Sequence, residues 1–134
     1  MYKIRFGRFS DYTLLENYDE FIGDRRLDLQ SGEITVADGQ EANAVCYIRT
    51  SSGAFLGWPL LTTLCLNSNY RRCGDGEALM KHAIQNGRFN RLFTSTEVGN
   101  MAMRSLLAKV DAQEIGHVDC LNLNDEREFL FRLK

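Results

Sequence analysis

The sequence is poor in the features that mark a specialised class. Its 134 residues carry 16 basic against 18 acidic side chains, a net charge of −2, whereas a general nucleic-acid binder carries a basic excess. No apolar run reaches the ~18 residues that a membrane-spanning helix needs, so no membrane partner is expected. The first nine residues alternate charged and apolar types and lack the apolar centre of a signal peptide. The four cysteines, Cys46, Cys65, Cys73 and Cys120, form no C-x-x-C pair, which argues against zinc fingers and thioredoxin-like motifs. A chain this long needs no disulfide framework, so they are read as free thiols in a reducing cytosol. His82 and His117 sit in no metal-ligand spacing, and no metal site is expected.

What remains is an ordinary globular composition, 44% apolar and 25% charged. It is read as one domain over 1–134, long enough to bury roughly two-thirds of its unfolded surface. Ile4, Phe6 and Phe9 frame a short extended segment. Ser10 and Asp11 supply N-cap chemistry for a helix whose stripe, Leu14, Leu15, Tyr18, Phe21 and Ile22, stops at Gly23. A shorter helix through Leu27 and Leu29 ends at Gly32. The period then falls to two. Ile34 and Val36 alternate with polar neighbours, Asp38-Gly39 signals a hairpin, and 44–50 is the return strand, with Val45, Cys46, Tyr47 and Ile48 inward. Ser51-Ser52-Gly53 is expected to turn the chain into a strand over 55–66, with a bulge or edge at Trp58-Pro59.

Helical spacing returns after Gly76 with Ala78, Leu79, Met80, Ala83 and Ile84, and stops at Asn86-Gly87. A buried strand over 91–96 follows. Asn100 then offers an N-cap to a helix with Met103, Leu106, Leu107 and Val110 on one face. Strands over 115–123 and 129–133, joined by Asn124-Asp125-Glu126, close the chain. The order βααβββαβαββ is that of an α+β fold around a mixed sheet.

Chemistry concentrates where an apolar strand meets the loop Arg71-Arg72-Cys73-Gly74-Asp75-Gly76 and then the helix from Glu77. The first N–H groups of a helix lack intrahelical partners and lie at the positive end of its dipole. A glycine loop lets them close around phosphate oxygens, and Arg71 and Arg72 add charge. A Walker loop is excluded because Glu77 follows Gly76, and a dinucleotide fingerprint because Leu79 stands at the third glycine.

The pattern Arg-x-x-Gly-x-Gly at Arg71, Gly74 and Gly76, following a strand that ends in Tyr70, resembles the acetyl-CoA loop of the GNAT acyltransferase superfamily, Q/R-x-x-G-x-G/A. Leu92-Phe93-Thr94-Ser95-Thr96 and then Asn100, Met103, Leu106 and Leu107 are similar to that family's fifth strand and fourth helix. Gly116, Val118, Asn122, Leu123, Asp125, Glu128 and Phe131 resemble its last strands. The resemblance implies a mixed, mostly antiparallel sheet flanked by helices, with the fourth and fifth strands splayed around the pantetheine arm of acetyl-CoA. Leu64, Cys65 and Leu66 would offer backbone groups to that arm. Backbone N–H groups of Arg72, Cys73, Gly74, Asp75, Gly76 and Glu77, with Arg71 beside them, would hold the pyrophosphate. Asn100 would meet the pantetheine, although an N-cap asparagine needs no ligand and both readings stand.

The implied activity is N-acetyl transfer from acetyl-CoA to a small-molecule or peptide amine, by direct attack in a ternary complex in the cytoplasm. A homodimer is compatible with the resemblance. The alternative is an acyl-CoA-binding sensor or regulatory module with reduced catalysis. Two family features are missing. Leu107 stands where many members place a tyrosine acid, and the position of the strand glutamate base falls near Leu60. Asp111-Ala112 also replaces the usual glycine-aromatic pair. Glu97, after the fifth strand, is a candidate base or simply a solvated side chain. Cys73 is a thiol activated by the loop or an incidental side chain. Asp19, Glu20 and Asp24 form either an acidic lip for an amine or a solvated helix face.

Overall fold

The backbone is extended where the sequence alternates and helical where apolar residues recur every three to four positions. The elements are β1 (Lys3–Phe6), α1 (Tyr12–Tyr18), α2 (Arg26–Ser31), β2 (Ile34–Asp38), β3 (Ala44–Phe55), β4 (Trp58–Leu66), α3 (Asp75–Gln85), β5 (Phe93–Glu97), α4 (Met101–Lys109), β6 (Gln113–Val118) and β7 (Glu128–Arg132), with short 3-10 turns at Phe9–Asp11 and Ser68–Tyr70. The computed structural model describes residues 3–19, 25–39, 41, 43–70 and 74–134. The order βααβββαβαββ is the one expected.

All strands join one sheet in the order β1-β2-β3-β4-β5-β7-β6. Every neighbouring pair is antiparallel except β4 and β5, which run parallel. α3 connects those two, as a parallel pair requires a crossover. The strand that closes the chain, β7, inserts between β5 and β6.

Two apolar clusters sandwich the sheet. On one side Leu79, Met80 and Ala83 of α3 and Leu107 of α4 pack with Cys46, Ile48, Leu61 and Phe131. On the other, Leu15 of α1 and Leu29 of α2 pack with Ile34, Val36, Ala44 and Tyr47. Residues 44–48 of β3 are buried without a break because helices cover both faces there.

Three boundaries differ from the sequence reading. The turn into β4 is not at Ser51-Ser52-Gly53, through which β3 continues, but at Leu56-Gly57, where φ is +52° and +93°. Two successive positive φ values make the tight hairpin whose twist matches its strands. β6 ends at Val118 and gives way to a loop over 119–127, in which Cys120 and Asp125 have φ of +63° and +59°. α1 ends at Tyr18 with Asp19 extended behind it, while Phe21, Ile22 and Gly23 lie outside the described residues. Asp11 does stand at the N-cap of α1, but its carboxylate is turned to the Arg8 N–H (2.6 Å) and the Arg5 guanidinium (2.8 and 2.9 Å).

Candidate active site

β4 and β5 are paired only through Leu60↔Phe93 and Leu61↔Thr94. The vertex is pinned by the Thr94 hydroxyl, which donates to the Leu61 carbonyl at 2.8 Å. Beyond it the strands part, and the cause lies in β4. Arg49 and Thr50 of β3 are opposed by Thr63 and Leu61, which leaves Thr62 as an extra residue. Such a bulge bends its strand and increases its twist. The Thr62 hydroxyl is engaged with Arg49, 3.1 Å from Nη1 and 3.3 Å from the carbonyl oxygen. Past Leu61, the β4 edge that faces β5 has no strand partner.

The gap is a cleft of ≈ 320 Å³, walled by Thr62, Thr63 and Leu64 on one side and Ser95, Thr96 and Glu97 on the other. Asn100 and Met103 of α4 flank it, and Asn122 and Glu128 reach in from the last loop and strand. It opens at the carboxyl ends of two parallel strands, where ligands of open α/β sheets collect.

α3 starts beyond the end of β4. Its N-cap, Gly74, has φ of +84°, a conformation that glycine adopts without cost and a β-branched residue resists. At Gly76 neither backbone conformation nor space inside the fold demands glycine. A Cβ there would lie 3.6 Å from Leu64 Cδ2 and 3.7 Å from Leu106 Cδ2, ordinary contact with side chains inside the fold. Backbone conformation favours glycine at Gly74, whereas the fold has room for a Cβ at Gly76. Asp75 is 1% exposed, and among the described residues neither carboxylate oxygen has a hydrogen-bond partner. Burial pushes its carboxyl up from the ordinary value. It faces the protein interior, where the Cys46 thiol is pushed up by its own burial and by Asp75. Glu77 points along the helix to Lys81, 3.0 Å away. Arg71, Arg72 and Cys73 lie outside the described residues.

Among the other residues expected at the site, Leu64 lines the cleft, Leu66 packs under α3, and Cys65 lies on the opposite face beside Tyr47. Asn100 caps α4, its Oδ1 accepting from the Met103 N–H at 3.1 Å, and it also borders the cleft. Glu97 is on the cleft wall, with Asn124 Nδ2 3.4 Å from its Oε2. Asp19 is not part of an exposed lip. It is 8% exposed and accepts the Tyr47 hydroxyl, tying the end of α1 to β3; Glu20 and Asp24 lie outside the described residues. Leu107 is 1% exposed in the cluster under α3 and does not line the cleft.

One member of the site was not anticipated in this role. Glu128 opposes Glu97 in the β5–β7 ladder. Its Oε2 accepts from Ser95 Oγ at 2.7 Å and its Oε1 from Asn122 Nδ2 at 3.1 Å. The alternation Glu128-Phe129-Leu130-Phe131 places Glu128 on the face opposite the core. That this face borders a cleft follows only from the insertion of β7 beside β5, which periodicity does not reveal.

A scan of the sequence against protein-family models finds no match, and a search of curated proteins finds no relative. Solved structures do match over the whole fold. A GNAT-family acetyltransferase from Bacillus cereus superposes with a TM-score of 0.87 at 18% identity, covering 100% of this chain and 97% of that one. The Escherichia coli ribosomal-protein-S18-alanine N-acetyltransferase gives 0.74 at 15% identity, over 99% and 93% of the two chains. Arabidopsis thaliana NAA60 in complex with acetyl-CoA gives 0.75 at 14% identity, over 98% and 97%. The chain has the fold of GNAT acetyltransferases.

Proposed function

We propose that the protein is an N-acyltransferase that binds acetyl-CoA between β4 and β5 and passes the acetyl group to an amine by direct attack in a ternary complex. The observation that carries this reading is the splay itself, a two-residue parallel pairing followed by an open cleft with a helix N-terminus beyond it. The stretch of β4 beyond its pairing with β5, at Leu64, Cys65 and Leu66, would offer backbone groups to an amide-containing arm. In this reading backbone N–H groups from Arg72 to Glu77, with Arg71 preceding them in the sequence, would hold the pyrophosphate. Asn100 borders the same cleft, its Oδ1 engaged by the helix and its amide nitrogen available to the arm. Solved structures of the same fold hold CoA or acetyl-CoA, which supports the same co-substrate here. The chain would work in the reducing cytosol.

Amine attack on a thioester needs orientation more than strong acid–base help, and positioning alone contributes on the order of several kcal/mol. A carboxylate on the cleft wall, Glu97 or Glu128, is the available proton acceptor. Leu107 and the uncharged β4 wall favour a second reading, a CoA-binding module with reduced catalysis. Release of free CoA thiol from acetyl-CoA across a panel of amines separates the two: release with a responsive amine supports transfer, and saturable binding without release supports the module.

A further inference from the structure

The geometry points to Glu128 as the group that takes the proton from the attacking amine and hands it on to the departing CoA sulfur, with Ser95 and Asn122 as its positioning residues. This rests on the acyl-transfer reading. Among the described residues lining the cleft, only Glu97 and Glu128 carry a carboxyl group, and no lysine, arginine or histidine joins them. The two are held differently. Both Glu128 oxygens accept from neutral donors, Ser95 Oγ at 2.7 Å and Asn122 Nδ2 at 3.1 Å. Asn122 is itself braced by donating to the Glu126 carbonyl at 3.0 Å. Among the described residues, the Glu97 carboxylate accepts one side-chain hydrogen bond, long at 3.4 Å, from the exposed Asn124. A base works from a fixed position within reach of the proton, and only Glu128 is fixed.

Among the described residues, no cation is ion-paired with Glu128. A carboxylate offers about four lone-pair sites, and its two hydrogen bonds leave the others free. Of the charged groups around it, Glu97 opposes it on β5. Arg127, next in the chain, is engaged with Asp119 at 2.8 Å. Glu126 lies over Gly99, Arg104 of α4 sits over Phe129, and His117 of β6 faces Asp119 at 3.9 Å. Opposed like charges on a ladder are unfavourable, which sets this pair apart from structural ion pairs such as Arg5 with Asp11.

In the step, the neutral amine nitrogen forms a bond to the thioester carbon as the carbonyl π pair moves to oxygen. The N–H proton of the zwitterionic adduct passes to Glu128. The oxygen pair then re-forms the carbonyl, the C–S bond breaks, and the thiolate leaves. The proton on Glu128 reaches that sulfur through water, giving amide and free thiol. One carboxyl group thus does the work of base and acid in a cleft whose β4 wall, Thr62, Thr63 and Leu64, carries no carboxylate.

The test compares wild type, Glu128→Gln and Ser95→Ala with acetyl-CoA and four probe amines: spermidine, lysine amide, phenethylamine and an alanine-initiated peptide. Glu128→Gln should lower kcat/KM on the responsive amine by ~10²–10³-fold, within the range of general acid–base catalysis, and abolish the acidic limb of its pH profile. Acetyl-CoA affinity by calorimetry should not change. Ser95→Ala, which keeps the carboxylate, should lose less rate and shift that limb. An active wild type whose Glu128→Gln variant keeps both rate and limb overturns the assignment alone. A wild type that binds acetyl-CoA but acetylates no probe overturns the transfer reading and this assignment with it. If Glu128→Gln does not fold, Ser95→Ala decides: an unmoved limb and rate overturn the proposal, a shifted limb supports it.

Discussion

Asp75 sits at the first position of α3 with its side chain turned inward, 1% exposed and without a hydrogen-bond partner among the described residues. Burial raises its carboxyl in the folded state. The folded protein therefore holds that proton more tightly than the unfolded chain does. The stability cost of ionising it sets in as pH rises above the unfolded value of ~3.9 and is complete above the folded one. Asp75→Asn, of the same shape and uncharged, should melt higher than wild type at neutral pH, with the gain shrinking as pH falls toward 4; thermal melts at three pH values check this. An equal gain at every pH would contradict it. The glycines beside it separate likewise. Gly74→Val should weaken acetyl-CoA binding by tenfold or more, about 1.4 kcal/mol, because φ of +84° resists a β-branched residue. Gly76→Ala should bind nearly as wild type, since its Cβ meets Leu64 and Leu106 at ordinary distance. The sequence showed a glycine loop before a helix, but it could not show that backbone conformation favours glycine at Gly74 and not at Gly76, nor that Asp75 points inward.

At the scale of elements, hydrophobic period and turn residues were enough to place every helix and strand in order, because each amphipathic segment has one dominant repeat. The failures fall where backbone conformation decides. Leu56-Gly57 out-competed Ser51-Ser52-Gly53 through two positive φ values, and the bulge at Thr62 leaves no mark in an apolar run. That bulge nonetheless makes the cleft. Deleting Thr62 would rejoin Leu61 and Thr63 in register with Thr50 and Arg49 and keep Leu61 and Leu64 on the core face. The variant should fold, lose the bend and lose acetyl-CoA binding, as far-UV circular dichroism and calorimetry would show; a folded deletion with wild-type affinity would sink the bulge account. At the other end of the sheet, Arg5 joins β1, the turn before α1 and β2 through Asp11 (2.8 and 2.9 Å) and Asp38 (2.9 and 3.0 Å). Partial burial of Asp11 opposes ionisation, but bonds from Arg5 and the Arg8 N–H outweigh it and hold the carboxyl below its ordinary value. Its stabilisation is present above the unfolded value and is lost as pH falls through the depressed one. Asp11→Asn should cost about 1–3 kcal/mol at neutral pH, and urea titrations should find that deficit fading in acid.

For the whole molecule, the near-balanced charge of −2 fixes neither site nor partner; the arrangement of the sheet does. The order β4-β5-β7-β6 brings three distant segments, around Thr62, Ser95 and Glu128, to one cleft. β4 and the helix after it were legible because an apolar extended run and a three-to-four apolar spacing mark them. The wall built by β7 was not, because strand insertion is a long-range event. The central claim is that this cleft transfers an acetyl group, and mass measurement of the acceptors tests it most directly. The purified protein is incubated with acetyl-CoA and the four probe amines, and each amine is weighed alongside the free thiol. The account predicts one amine carrying a single added acetyl group in equal amount to the thiol released, and loss of both with Gly74→Val. Saturable acetyl-CoA binding with every amine unmodified would contradict it.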